Sequence, residues 1–222
     1  MQTYYAAKRG YASLLPCLKL RSLECTPGEN LTLRPFLLNE DGKETQNCRV
    51  RLRLFSPRLQ ECFSAEMKPE RPRTDGVHAY DLPEQHFHIP ETFRGSCFFA
   101  VLDAQKPEGT PVRNFYIFRC MDNGNARTLR DQLAETPAHL ELQILKQEER
   151  RITLRIKNSG KLPSAITSVS VPDGTPFAAD DSAFWLDPDE SKDITLRFPG
   201  KKLPAALAVS SWNSPKITAN IS

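Results

Sequence analysis

The 222-residue sequence has no apolar run approaching the roughly 20 residues that span a bilayer, which argues against a membrane-spanning helix. It also lacks a charge bias. Residues 1–122 hold 17 Lys and Arg against 15 Asp and Glu, and residues 123–222 hold 13 against 12. With no basic face, binding to nucleic acid has no electrostatic support. The six cysteines, Cys17, Cys25, Cys48, Cys62, Cys97 and Cys120, form no CxxC pair, which argues against a structural zinc site. Strand–helix–strand alternation is missing, so a parallel sheet is not expected. The opening Met1-Gln2-Thr3-Tyr4-Tyr5 has no basic region followed by an apolar stretch, so no secretory signal is read there. That says little about compartment if the chain is a piece of something longer.

What remains is a globular composition, 39% hydrophobic and 26% charged, with 18 Pro against 10 Gly. Tyr4, Ala7 and Tyr11 recur at helical spacing and predict a short amphipathic helix, which Pro16 excludes from continuing. From there the pattern is strand, turn, strand. Leu31–Leu37 alternates before the turn Asn39-Glu40-Asp41-Gly42. In Arg49–Phe55, Val50, Leu52 and Leu54 point one way and Arg49, Arg51 and Arg53 the other, the mark of a strand with one solvated face. Residues 64–76 read as an exposed loop. Phe98–Leu102 and Val112–Cys120 predict a long hairpin, and Asp122–Asn125 ends the domain. Residues 126–139, with Leu129 and Leu133, read as a linker with a helical turn. His139–Leu145 and Arg151–Asn158, joined by the polar turn Gln147–Arg150, predict a second hairpin. Ile166–Val171, Ser191–Phe198 and Leu207–Trp212 are further strands. Short strands at this spacing indicate sandwiches. An even cysteine count permits disulfides, but buried thiols serving as small apolar side chains are the preferred reading.

Several stretches resemble a known family. Tyr4-Tyr5-Ala6-Ala7-Lys8-Arg9-Gly10-Tyr11 resembles the "YYAxKRA" segment that closes the catalytic barrel of glycoside hydrolase family 2 enzymes in the β-mannosidase and exo-β-glucosaminidase branch. Arg113-Asn114-Phe115-Tyr116 resembles the "xNFYW" strand of the Ig-like domain that follows, with Ile117 in place of the usual Trp. Ile156–Ser164 resembles the "xNxGxxPA" turn, Phe184–Lys192 resembles "YFxLxPGESK" with Asp189 where Gly is usual, and Val209–Asn213 resembles the terminal "VxGWN".

The resemblance implies an all-β chain: two consecutive immunoglobulin-like β-sandwiches preceded by a short N-terminal helix. Residues 1–13 are then a barrel-exit helix remnant, 14–122 and 139–222 the sandwiches, and 123–138 a linker. The parent enzyme it implies is a retaining β-glycosidase, periplasmic or extracellular, working with two Glu carboxyls about 5 Å apart. In the family both lie in the barrel, upstream of this chain, so no catalytic residue is carried over. The expected partner is that barrel. A glycan is a second partner, and no cofactor, metal, nucleic acid or membrane is expected.

Other chemistry competes with plainer readings. His86 and His88 share a strand face and suit two metal ligands, but no third ligand is apparent, and a solvated edge pair is preferred. Asp180-Asp181 and Asp187-Pro188-Asp189-Glu190 offer oxygens for calcium without EF-hand spacing, and turn chemistry accounts for the second cluster. Trp185 and Trp212 are the candidate sugar-stacking residues, against a reading as half-buried core. Cys25 or Cys97 could pair with a His in space, but no nucleophile motif surrounds them. The alternatives to an accessory module are a free-standing carbohydrate-binding module and an Ig-like adhesion or scaffolding pair.

Overall fold

The structure, a computed structural model, describes residues 12–40, 47–69, 78–107, 111–200 and 203–221. The helix expected at the N-terminus, with Tyr4, Tyr5, Lys8, Arg9 and Tyr11, lies outside them, and Ala12 and Ser13 are not helical. The described residues are overwhelmingly strand, so the all-β expectation holds. They fall into two compact units that part between Gln132 and Leu133. Among them no helix is long and apolar enough to cross a membrane.

The first unit is two facing sheets. One contains β1 (Leu14–Lys19), β3 (Asn30–Asn39), β6 (Ala79–Asp81) and β7 (Gln85–His88), with β3 at its centre. The other runs β2–β9–β8–β4–β5, from β2 (Glu24–Cys25) through β9 (Val112–Cys120), β8 (Ser96–Gln105) and β4 (Arg49–Phe55) to β5 (Glu61–Met67). Its pairings are antiparallel except β2 with β9. Strand β8 is apolar on both faces, as a central strand buried on both sides must be. Leu33 and Leu37 of β3 meet Val50, Leu52 and Leu54 of β4, Phe98, Ala100 and Leu102 of β8, and Phe118 of β9 in one core. The Phe98 and Phe118 rings stack at 5.0 Å. Each such side chain contributes about 1.5–3 kcal/mol by leaving water.

Two sequence readings change here. Ser64–Met67, expected in a loop, completes β5. Phe63, Ala65 and Met67 turn inward alternately, a period-2 signal broken up by Ser64 and Glu66 between them. Arg53, expected on a solvated face, is buried. The reason is Asp103 on β8, which accepts a 2.6 Å bond from Arg53 Nη2 and another of 2.6 Å from Arg113 Nε of β9.

Residues 123–138 carry the helical turn α1 (Leu129–Leu133). Thr128 caps it, its Oγ1 accepting the Asp131 N–H at 3.3 Å. The Gln132 amide then serves the first unit. Its Oε1 accepts the Cys97 N–H at 2.7 Å, and its Nε2 donates to the carbonyls of Cys97 at 2.8 Å and Pro57 at 2.9 Å.

The second unit is also two sheets. In one, β10 (Leu140–Glu148), β11 (Arg151–Asn158), β15 (Ser191–Arg197) and β13 (Ala178–Ala179) lie in that order. In the other, β14 (Phe184–Leu186), β12 (Ser164–Ser170), β16 (Ala206–Ser211) and β17 (Ser214–Asn220) follow one another. Ile152, Leu154 and Ile156 face Leu186, Leu207 and Val209 in a second core. The turn expected over Gln147–Arg150 shrinks to Glu149-Arg150. A bulge between Ile144 and Lys146 absorbs one residue, and Gln147 and Glu148 join the ladder. Leu145 sits in that bulge and is exposed.

Candidate functional site

The two tryptophans part company. Trp185 of β14 is 2% exposed, and its indole N–H donates to Asp187 Oδ1 at 3.0 Å, so its ring presents no face to a sugar. Trp212, at the turn between β16 and β17, is 41% exposed; its backbone N–H donates to the Ala165 carbonyl at 3.0 Å. Of the two stacking candidates, it alone offers aromatic surface to solvent.

His86 and His88 do share a face of β7, and each turns to the neighbouring strand. His86 Nδ1 lies 3.4 Å from Thr32 Oγ1, and His88 Nδ1 lies 2.9 Å from Asn30 Oδ1. Among the described residues, no group of three or more His, Cys, Asp or Glu is gathered to hold a metal ion.

The acidic clusters are bound into turns. Asp181 accepts the Lys192 ammonium at 2.5 Å and the Ser182 N–H at 2.8 Å. The Asp187 N–H donates to Glu190 Oε2 at 2.7 Å. Asp189 stands at φ +60°, the left-handed region that favours glycine and that Asp tolerates. The turn thus keeps the backbone conformation a Gly would supply, which explains how Asp189 occupies that position.

Among the described residues, several that carry the family resemblance do structural work. In β9, Asn114 Nδ2 donates to the Pro16 carbonyl of β1 at 3.1 Å, and Tyr116 Oη accepts the Leu18 N–H at 3.0 Å, stitching the two sheets together. Burial pushes the Tyr116 phenol up to about 12. In the second unit, Asn158 is wholly buried. It donates to the carbonyls of Leu162 at 2.8 Å, Leu186 at 3.3 Å and Asp187 at 3.2 Å, and its Oδ1 accepts the Gly160 N–H at 3.1 Å. Gly160 is required there because a Cβ would come within 2.9 Å of the His139 nitrogen. Asn213 is a second hub. It donates to the carbonyls of Thr136 and Pro163, both at 2.8 Å, and accepts the Ala165 N–H at 2.9 Å. Sequence reasoning matched these residues as motif letters without seeing the carbonyls they gather.

Among the described residues, the carboxyls of Glu148 beside Lys146 and of Asp193 beside Arg155 are held low. A general acid at neutral pH needs the opposite displacement. A cleft of about 550 Å³ opens at one end of the five-stranded sheet, lined by Asn47, Arg49, Lys68, Gln105, Lys106 and Pro107. Those side chains offer a sugar neither a carboxylate nor an aromatic ring. All six cysteines are unpaired thiols, and Cys62 is the exposed one. Desolvation raises the thiol pKa at each of them, the opposite of what an activated nucleophile needs.

No family model matches the chain, and no curated protein does. Solved structures do match. The exo-chitosanase CsxA of Amycolatopsis orientalis superposes with a TM-score of 0.69 at 15% identity, covering 98% of this chain and 28% of that one. A complex of a CsxA variant with PNP-beta-D-glucosamine gives 0.71 at 16% identity, with 98% and 27% covered. A third CsxA structure, inhibited by a glucosamine-configured castanospermine and an amino-australine analogue, gives 0.69 at 15%. The chain spans little more than a quarter of the length of these enzymes, and almost all of it has the fold of that portion.

Proposed function

We propose that the chain is a non-catalytic accessory module of a retaining, exo-acting β-glycosidase of the β-mannosidase or exo-β-glucosaminidase type, in which the paired sandwiches buttress a catalytic barrel. The observation that carries this reading is the match of 98% of the chain to 28% of a chitosan-cleaving enzyme. The side chains agree. The buried polar residues Asn158, Asn213 and Gln132 bind backbone groups, and the half-buried Asn114 holds the Pro16 carbonyl, which is what a rigid support requires and a catalytic cleft does not. Two measurements test it. The gene upstream should encode a barrel with two catalytic Glu residues, and the isolated chain should not release nitrophenol from aryl β-mannosides or β-glucosaminides. Turnover by the isolated chain, or an upstream region without a barrel, would refute the proposal.

Trp212 supports a second reading, a carbohydrate-binding module, because it leaves an aromatic face in water. Calorimetric titration with chitosan and mannan oligomers separates the two. Millimolar binding lost in Trp212→Ala favours the second; heat-silent titrations end it.

A further inference from the structure

The parallel pairing of β2 with β9 sets Cys25 directly opposite Cys120. Register partners on neighbouring strands project to the same face, and both residues are buried in the core of the first unit. Neighbouring strands run about 4.7–4.9 Å apart, inside the roughly 4.4–6.8 Å window that a disulfide tolerates between Cα atoms. The Cys25 thiol donates to the carbonyl of Arg119, the residue before Cys120, at 3.6 Å. Cys97 is nearby, but its partner on β9 is Arg119, one residue out of step with Cys120, so it projects to the other face.

From this geometry we propose that Cys25 and Cys120 are a built-in cross-link site, closed to a disulfide by a low-molecular-weight disulfide such as oxidised glutathione while the chain folds or when β2 detaches. One thiolate attacks the small disulfide and expels one thiolate, leaving a mixed disulfide. The second cysteine then attacks the protein sulfur and expels the other. The two cysteine protons end on the two small thiols, so two electrons pass from the protein to the oxidant. Strand β2 is suited to such opening. It is two residues long, lies at the sheet edge, and is held by the Arg119 N–H to the Leu23 carbonyl at 2.8 Å and the Met121 N–H to the Cys25 carbonyl at 2.9 Å. In the closed sheet both thiols are desolvated, and Cys25 is pushed up to about 12, which keeps the pair inert until β2 lifts.

The test is peptide mapping of the full chain refolded in a buffer of oxidised and reduced glutathione, with free thiols alkylated before digestion. The expected result is a Cys25–Cys120 linked peptide with Cys17, Cys48, Cys62 and Cys97 alkylated, and a melting temperature higher by roughly 5–10 °C, lost again on reduction. Cys120→Ser should abolish the link and the shift, leaving Cys25 alkylated or carrying glutathione. Because the mapping is made on the unmodified chain, it stands even if that variant fails to fold. Six alkylated thiols after oxidative refolding, or a link through any other cysteine, would overturn the proposal.

Discussion

Asn158 shows what a single buried amide does in the second unit. Four backbone groups, two from the turn after β11 and two from the end of β14 and the residue after it, converge on its buried side chain. Leaving a buried polar group unsatisfied costs about 1–3 kcal/mol, so Asn158→Ala is expected to destabilise the unit by about 3 kcal/mol or more. Urea denaturation monitored by Trp fluorescence measures this, and a loss below about 1 kcal/mol would show that the carbonyls find other partners. Tyr116 makes a different residue-scale argument. Its phenol titrates near 10 in an unfolded chain and is raised to about 12 here. Below pH 10 the phenol is neutral in both states and its contribution is whole. Between pH 10 and 12 only the unfolded chain ionises, so that contribution drains away as pH rises. The stability advantage of the wild type over Tyr116→Phe should therefore shrink across that window. Urea midpoints measured from pH 8 to 12 on both proteins check it, and a constant gap would mean the phenol titrates normally.

At the scale of elements, the outer face of the five-stranded sheet is held by one carboxylate between two guanidiniums. Arg53, Asp103 and Arg113 come from β4, β8 and β9, three adjacent strands. Removing Asp103 leaves two cations facing each other in a poorly hydrated place, so Asp103→Ala is expected to cost about 3–5 kcal/mol, more than Arg113→Ala, which leaves Arg53 paired. Thermal melts of the two variants decide the order; equal losses would mean that the three groups do not act as a triad. The triad also marks where sequence reading stops. Alternation in Arg49–Phe55 located the strand and its inward face. It could not show that one of its three arginines is covered, because Asp103 lies 50 residues away and the register that aligns them is set by the whole sheet. The same holds for β5, whose inward residues are separated by Ser64 and Glu66, and for the β10 bulge, which depends on pairing with β11. Long hairpins with clean apolar periods, β8 with β9 and β10 with β11, were legible because neighbours in sequence are neighbours in the sheet.

For the whole molecule, the all-β architecture followed from the spacing of strands and turns. The aromatic candidates were not legible in the same way, since they were decided by burial that no local pattern encodes: Trp185 went inside while Trp212 stayed in water. The two cores share no residue, and the polar anchors divide between the units in the same way. Gln132 bonds Cys97 and Pro57 of the first unit, whereas the Thr136 carbonyl and the Ala138 N–H bond Asn213 of the second. A cut between Ala134 and Glu135 parts these two sets of anchors and breaks the bonds from the Thr136 N–H and Oγ1 to the Leu133 carbonyl. Fragments 1–134 and 135–222 are expected to fold separately, each with a β-type circular dichroism spectrum and a cooperative melt. The second fragment should be the less stable, because at about 90 residues it buries a smaller share of its surface. If the second fragment instead melts without cooperativity while the first is unaffected, its core would be shown to need support from elsewhere in the chain.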